Sequence, residues 1–106
     1  MWAVNGTELK MCEGDWGLSL PITVTGPTFS ASDEVKLTIK TAVNGDTLIT
    51  KTFSNIDHNT VSFVLTEEES ALLPVGSYVY SLDWFQNNAF LCNIIPVSAL
   101  KVVEKA

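Results

Sequence analysis

The feature that most constrains this chain is a strand–helix–strand pattern over residues 61–85. Apolar and polar residues alternate at its start, as they do in a half-buried strand. Thr66 and Glu69 then have the spacing of a capping box, which predicts a short helix over about residues 67–73. The strand that follows places four large side chains on one face: Tyr78, Tyr80, Leu82 and Trp84. The pattern therefore predicts a core built mainly from strands, with Trp84 packed inside it.

Turn signals divide the rest of the chain into short segments of the same kind. With about 8–12 residues between turns, the sequence predicts seven or eight short strands and the one helical turn. This pattern is typical of an all-β fold, an immunoglobulin-like β-sandwich of antiparallel strands, with a small closed barrel as the alternative. A chain of 106 residues is expected to form a single domain, residues 1–106. Residues 1–6 would form either a short hairpin at Asn5-Gly6 or a frayed tail.

Three positions carry specific information about turns and edges. Asn44-Gly45 lies between two strand-like segments and is the strongest hairpin signal in the chain. Asn87-Asn88 predicts a further turn, because asparagine tolerates left-handed backbone conformations. Pro21 cannot donate to a strand ladder, so we expect its strand at a sheet edge or at a bulge.

The charge of the chain argues against two classes of partner. Its net charge is −6, and all six cationic side chains are Lys. A nucleic-acid-binding surface normally carries a basic stripe with Arg for bidentate contacts, and a negative chain repels phosphate and anionic lipid. No apolar run approaches about 20 residues, and the N-terminus lacks the pattern of a secretory signal. We therefore expect no nucleic-acid partner, no membrane association and no export.

No residue pattern in the chain predicts catalysis. His58 is the single histidine and lies in a polar turn, where a solvated role is expected, and no nucleophile motif accompanies it. One histidine and two distant cysteines do not make a zinc site, and no calcium-loop motif is present. The acids Glu67, Glu68 and Glu69 complement the dipole of the predicted helix. The sequence thus predicts a protein that is not an enzyme and holds no cofactor or metal.

Cys12 and Cys92 are the two cysteines, and three states are open to them. Cys92 lies in an apolar run, where a reduced and buried thiol behaves as a small hydrophobic residue. A Cys12–Cys92 disulfide would need an oxidising compartment, and a redox or metal role would need neighbouring groups that the sequence does not show. Reduced thiols are the favoured prediction.

The apolar run 90–95 contains no charged residue that would oppose pairing with another chain, so it is a candidate contact surface. We hypothesise that this run, with Phe85, lies at or near a contact between chains. The alternative is that both faces of the run are buried within the sandwich. Exposed aromatic residues elsewhere could join an interface or stack against a sugar. The candidate interface residues are Phe85, Phe90, Leu91, Asn93, Trp2 and Trp16.

Three stretches of the chain resemble a known family. Residues 9–15, LKMCEGD, are similar to its opening strand and Gly-Asp turn, and residues 34–40, EVKLTIK, to its next strand. Residues 65–82 are similar to its strand, short helix and G-x-Y-x-Y-x-L strand. On these stretches the chain resembles the N-terminal domain of the baseplate upper protein of tailed bacteriophages, a virion β-sandwich domain, and its stand-alone relatives. It departs from that pattern at Ser81, where an Asp often follows the second Tyr, and at Asn87-Asn88, which replace an Asp-Gly turn.

The resemblance implies a structural role. Such a protein would be a non-enzymatic structural or assembly module of a phage or prophage virion, in a tail, baseplate or head. Its partners would be copies of itself or other virion proteins, and it would be located in the virion after assembly in the bacterial cytoplasm. The alternative from the residues themselves is a carbohydrate-binding or adhesion module that uses exposed aromatic side chains and a glycan partner.

Overall fold

The computed structural model describes residues 3–17, 19–24, 29, 32–54, 56 and 59–104. Eight strands and one short helix lie in these residues, which confirms the all-β class. The strands are β1 (Ala3–Asn5), β2 (Glu8–Cys12), β3 (Leu20–Thr23), β4 (Asp33–Lys40), β5 (Thr47–Ser54), β6 (Thr60–Phe63), β7 (Gly76–Gln86) and β8 (Ala89–Val103), and the helix α1 is Glu67–Ala71. No helix in this part of the chain is long and apolar enough to cross a membrane.

The strands form one large sheet and one small sheet. The large sheet has the order β1-β2-β8-β7-β4-β5, and the small sheet pairs β3 with β6. In the described residues the large sheet is open, with β1 and β5 at its ends, so the alternative of a closed barrel is not formed. The prediction of purely antiparallel pairing is also wrong, because β2 runs parallel to the end of β8, with Leu9 opposite Leu100 and Cys12 opposite Val103.

One face of the large sheet forms the core. Val35, Leu37 and Ile39 on β4 have no exposed surface, and the residues between them are half-buried. Leu37 pairs with Leu82 on β7, so the buried face continues from strand to strand. Phe63 on β6 belongs to the same buried cluster, which places the small sheet against this face. Each such side chain stabilises the fold by about 1.5–3 kcal/mol through burial.

The helix α1 begins with the predicted capping box. The Glu69 N–H donates to Thr66 Oγ1 at 3.2 Å, and the Thr66 N–H donates to Glu69 Oε1 at 2.9 Å. The helix ends at Ala71, two residues before the predicted end at 73. The next two N–H groups bond to carbonyl oxygens three residues back, at 3.0 Å each, so the chain tightens out of the α-helical pattern there.

The predicted hairpin at Asn44-Gly45 is confirmed, but its turn is wider than a two-residue turn. Six residues, 41–46, connect β4 to β5, and neither Asn44 nor Gly45 has a positive φ. A Cβ on Gly45 would lie 2.0 Å from Thr41 Oγ1 and 2.8 Å from the Ala42 nitrogen. Glycine is required at this position because the backbone approaches closely.

The first hairpin of the chain joins β1 to β2. The sequence left two alternatives for residues 1–6, a short hairpin or a frayed tail. The described residues of this segment form the hairpin. Asn5 pairs with Glu8, so the turn consists of Gly6, whose φ is +63°, and Thr7, one residue later than predicted. The predicted edge position of Pro21 is confirmed, because β3 pairs only with β6 among the described strands.

Candidate protein-interaction site

The site is built on the hairpin that joins β7 to β8. Gln86 pairs with Ala89, and the two residues between them, Asn87 and Asn88, have φ values of +51° and +66°. Positive φ at both central residues defines a type I′ turn, whose twist matches that of the two strands. The predicted turn is confirmed, and it fixes which side chains oppose one another beyond it.

Strand β8 is bulged along this hairpin. Tyr80 pairs with Ser98 and Phe85 pairs with Phe90, so β8 takes eight residue steps where β7 takes five. Each extra residue bends the strand and breaks the strict alternation of its side chains. As a result four consecutive residues, 90–93, are all exposed. The alternative that both faces of this run are buried is therefore wrong for these four residues.

Two phenylalanines form the centre of the exposed surface. Phe85 and Phe90 pack edge to face, with ring centroids 5.7 Å apart and an interplanar angle of 75°. Phe90 is 56% exposed and its neighbour Leu91 is 48% exposed. We call Phe85, Phe90 and Leu91 the hairpin patch. Lys36 Nζ lies 4.5 Å from the centroid of the Phe85 ring, a cation–π contact that holds this ring against β4.

Polar groups border the hairpin patch on the same face of the sheet. Asn93 Nδ2 donates to Asp83 Oδ1, and Ser81 Oγ lies 3.5 Å from Asp83 Oδ2. Lys36 stands opposite Asp83 in the strand register, so one cation and one carboxylate lie side by side at this border. Glu34 stands opposite Phe85 in the same register, so the border carries two carboxylates and one cation. An apolar centre with a polar border is the composition of many protein interfaces.

The opposite face of the hairpin is supported by Trp84. Its ring packs edge to face against Phe29, with centroids 4.9 Å apart, and the side chain as a whole is half-buried. The Trp84 indole nitrogen is buried and has no hydrogen-bond partner among the described residues. The Asn87 N–H donates to the Ser32 carbonyl at 3.3 Å, which ties the turn to the segment before β4. These contacts pack the hairpin against the segment that precedes β4.

The six predicted interface residues do not lie together. Phe85, Phe90, Leu91 and Asn93 share the hairpin. Trp16 is 54% exposed but follows β2, which pairs with the far end of β8. Trp2 lies outside the described residues. Sequence reasoning missed Lys36 and Asp83, because their place beside Phe85 depends on the pairing of β4 with β7, which no local pattern reveals.

A cavity of about 190 Å³ lies between the sheets, next to the first hairpin. Val4, Leu9, Ile22 and Ile95 line it with apolar surface, and the Tyr80 side chain also reaches it. The Tyr80 hydroxyl already donates to the Thr7 carbonyl oxygen. Ligand pockets usually measure about 300–1,000 Å³ and contain polar groups aimed at the ligand. This cavity therefore lacks the features of a small-molecule site.

Among the described residues, the half-buried carboxylate of Glu69 has a structural role. Glu69 is engaged by Thr66 and by Lys51, whose Nζ lies 2.8 Å from Glu69 Oε1. Within the described ranges no group of three or more His, Cys, Asp or Glu side chains could hold a metal ion. The single histidine, His58, lies outside those ranges.

Both cysteines are free thiols. The predicted burial of Cys92 is wrong, because the bulged end of β8 exposes it. Cys12 lies beside Val103 at the other end of β8, so the Cys12–Cys92 disulfide does not form within the chain.

Comparisons with family models, with curated proteins and with solved structures find no match to this chain. The resemblance to the baseplate domain therefore rests on the sequence stretches quoted above.

Proposed function

We propose that this protein is a non-enzymatic protein–protein interaction module, and that it serves as a structural or assembly component of a phage or prophage virion. The interaction role is supported by the hairpin patch. The virion setting is supported by the resemblance in residues 9–15, 34–40 and 65–82. Two free thiols are compatible with assembly in a reducing cytoplasm.

The finer fold assignment that we propose is an immunoglobulin-like sandwich. In that layout strands G, F, C and C′ are neighbours in one sheet, and strands B and E are neighbours in the other. The order β8-β7-β4-β5 and the pair β3-β6 correspond to these two groups in chain order. Tyr78 Oη also donates to the Pro74 carbonyl at 2.6 Å, as in the tyrosine corner found where strand F of such domains begins.

The observation that carries the proposed function is the exposure of the hairpin patch. Phe90 and Leu91 lie at the surface, with 56% and 48% exposure. Three features of the hairpin produce this arrangement: its type I′ turn, the three extra residues of β8, and the packing of Trp84 behind it. Phenylalanine is among the residues enriched at protein interfaces relative to the rest of the surface. A partner that covers the patch would remove apolar surface from water without reshaping the hairpin.

Affinity purification from the natural host tests this function. The tagged wild-type chain is compared with Leu91→Lys, which places a charge in the patch, and with Val43→Lys, which places the same charge at a 60% exposed valine in the β4–β5 connection. We expect one or more virion proteins to co-purify in fixed ratio with the wild type and with Val43→Lys, but not with Leu91→Lys. The same proteins recovered with all three chains, or no protein in fixed ratio, would contradict the proposal.

The carbohydrate alternative makes a different prediction about Trp16. This side chain is exposed and distant from the hairpin patch. Retardation of the wild type in polysaccharide-containing gels, lost in Trp16→Ala and kept in Leu91→Lys, would favour a glycan-binding module instead.

A further inference from the structure

The open edges of the two sheets differ in how they are protected. Unpaired N–H and C=O groups along an edge can bind another strand, and proteins usually block them with short strands, proline, bulges or charge. Strand β1 has only three residues, β3 contains Pro21, and the free part of β8 is bulged. In the described part of the chain, β5 is the long edge strand. Over most of its length it has no proline, no bulge and no charge on its exposed face.

Strand β5 is a regular and uncharged edge. Its register with β4 is continuous from Ile49 to Ser54, and the irregularity lies at the connection to β4. Thr50, Thr52 and Ser54 are exposed, and threonine favours strands. The only charged side chain of the strand, Lys51, is turned towards α1, where it pairs with Glu69 at 2.8 Å. The charge that would normally protect such an edge is therefore paired with a carboxylate of α1 and directed away from the edge.

We propose that β5 pairs in antiparallel orientation with β5 of a second copy of this chain, which joins two large sheets into one. This interface is separate from the hairpin patch and does not depend on the function proposed above. Its specificity would come from backbone hydrogen bonds, as in other cases of strand addition.

The sequence of β5 is suited to pairing with itself. With Thr50 opposite Thr50 of the second copy, Ile49 stands opposite Lys51, so the two lysines do not face each other. The exposed face would then carry one Thr50–Thr50 pair, with Thr52 opposite Leu48 on either side of it. Threonine pairs are favourable in antiparallel sheets. A foreign strand would need its own complementary pattern, whereas a second copy already has it. Because one strand pair buries less surface than a standard interface, we expect a dissociation constant of about 1 µM or weaker.

Light scattering on a size-exclusion column, over a roughly hundredfold range of concentration, tests the proposal on the full chain. The wild type is compared with Thr50→Lys, which adds charge to the edge, and with Ser62→Lys, which adds the same charge at an exposed position on β6. Added lysine reduces the net charge of −6 and so weakens long-range repulsion between copies equally in both variants. We expect a dimer fraction that rises with concentration, a dissociation constant raised at least about tenfold by Thr50→Lys, and no such change in Ser62→Lys.

If Thr50→Lys does not fold, Thr52→Lys takes its place in this comparison. Hydrogen exchange provides a second measurement. Amide protection in β5 should increase with the concentration of the wild type, because outward N–H groups become bonded in the dimer. A monomer at every concentration would overturn the proposal. So would a dimer that Thr50→Lys leaves intact and Leu91→Lys dissociates, since that result would place the contact at the hairpin patch.

Discussion

Trp84 packs on the face of the β7–β8 hairpin opposite the hairpin patch. It packs against Phe29 at 4.9 Å behind the hairpin patch. We expect Trp84→Ala to lower the free energy of unfolding by about 3 kcal/mol, at the lower end for a tryptophan truncation because the side chain is half-buried. Urea denaturation measures this change. Trp16→Ala is the matched control, since Trp16 is 54% exposed and its loss should cost less than about 0.5 kcal/mol. Equal losses in the two variants would contradict the assigned role of Trp84.

Glu69 gives the fold a pH dependence. Desolvation raises its pKa, but the hydrogen bond and attraction from Lys51 and the bonds with Thr66 outweigh it, and the pKa lies below its usual value of 4.5. A carboxylate with a lowered pKa in the folded state stabilises the fold above the pKa of the unfolded chain. That contribution is lost as the pH falls through the pKa of the folded state.

The variant Glu69→Gln separates this titration from the capping role of the residue. Glutamine can keep the capping-box hydrogen bond but does not titrate. We expect the variant to be about 0.5–1 kcal/mol less stable than the wild type at pH 7, and the difference to shrink as the pH falls below 4.5 and through the lowered pKa of Glu69. Urea denaturation at a series of pH values measures it. Glu68→Gln removes an exposed carboxylate from the same turn without touching the Lys51 pair, so it should lose less stability at pH 7 than Glu69→Gln.

At the scale of elements, the β7–β8 hairpin depends on its left-handed turn. Asn88 has a φ of +66°, which costs an alanine about 1–2 kcal/mol. We expect Asn88→Ala to lower stability by about 1 kcal/mol and Asn88→Gly to keep or raise it, because glycine adopts this conformation freely. Chemical denaturation distinguishes the two. The control is Asn44→Ala, at an exposed asparagine without positive φ, which should change stability by less than about 0.5 kcal/mol. A similar loss at both positions would show that backbone conformation is not the cause.

Asn88 and Asn44 also show which features of a turn can be predicted from the sequence. Both hairpins were predicted, because a turn signal between two alternating segments is a local feature. The type of the turn at Asn44-Gly45 was not predicted. This dipeptide is the most typical of a type I′ turn, but here it lies in the six-residue connection 41–46. In that connection the Gly45 N–H donates to the Ala42 carbonyl at 2.9 Å and the Thr41 N–H to the Asp46 carbonyl at 3.1 Å, so its hydrogen bonds involve residues beyond the Asn-Gly dipeptide.

The candidate site was predicted in part for a similar reason. The uncharged run 90–95 pointed to a contact surface, and Phe90 and Leu91 are indeed exposed. Strict alternation would place neighbouring residues of a strand on opposite faces, so it could not predict that both would be accessible. The bulges in β8 cause this exposure, and they appear only when the register with β7 is known.

At the scale of the whole molecule, the parallel pairing of β2 with β8 joins the two ends of the described chain. Leu9 stands opposite Leu100, and no turn signal exists for strands so far apart in sequence. The alternation of side chains within a strand is the same in parallel and antiparallel ladders. The direction of a pair between distant segments was therefore beyond what local patterns could predict.

The same pairing determines the chemistry of the two cysteines. Cys12 is held beside Val103, and Cys92 lies eleven residues earlier on β8, on the order of 25–35 Å away along the strand. A disulfide requires Cα atoms within about 7 Å, so the folded chain cannot form one internally. Alkylation followed by mass spectrometry should find two free thiols, with exposed Cys92 modified before half-buried Cys12. Mild oxidation should yield covalent dimers, and Cys92→Ser should suppress them. A monomer that loses both thiols on oxidation while folded would contradict the pairing of β2 with β8.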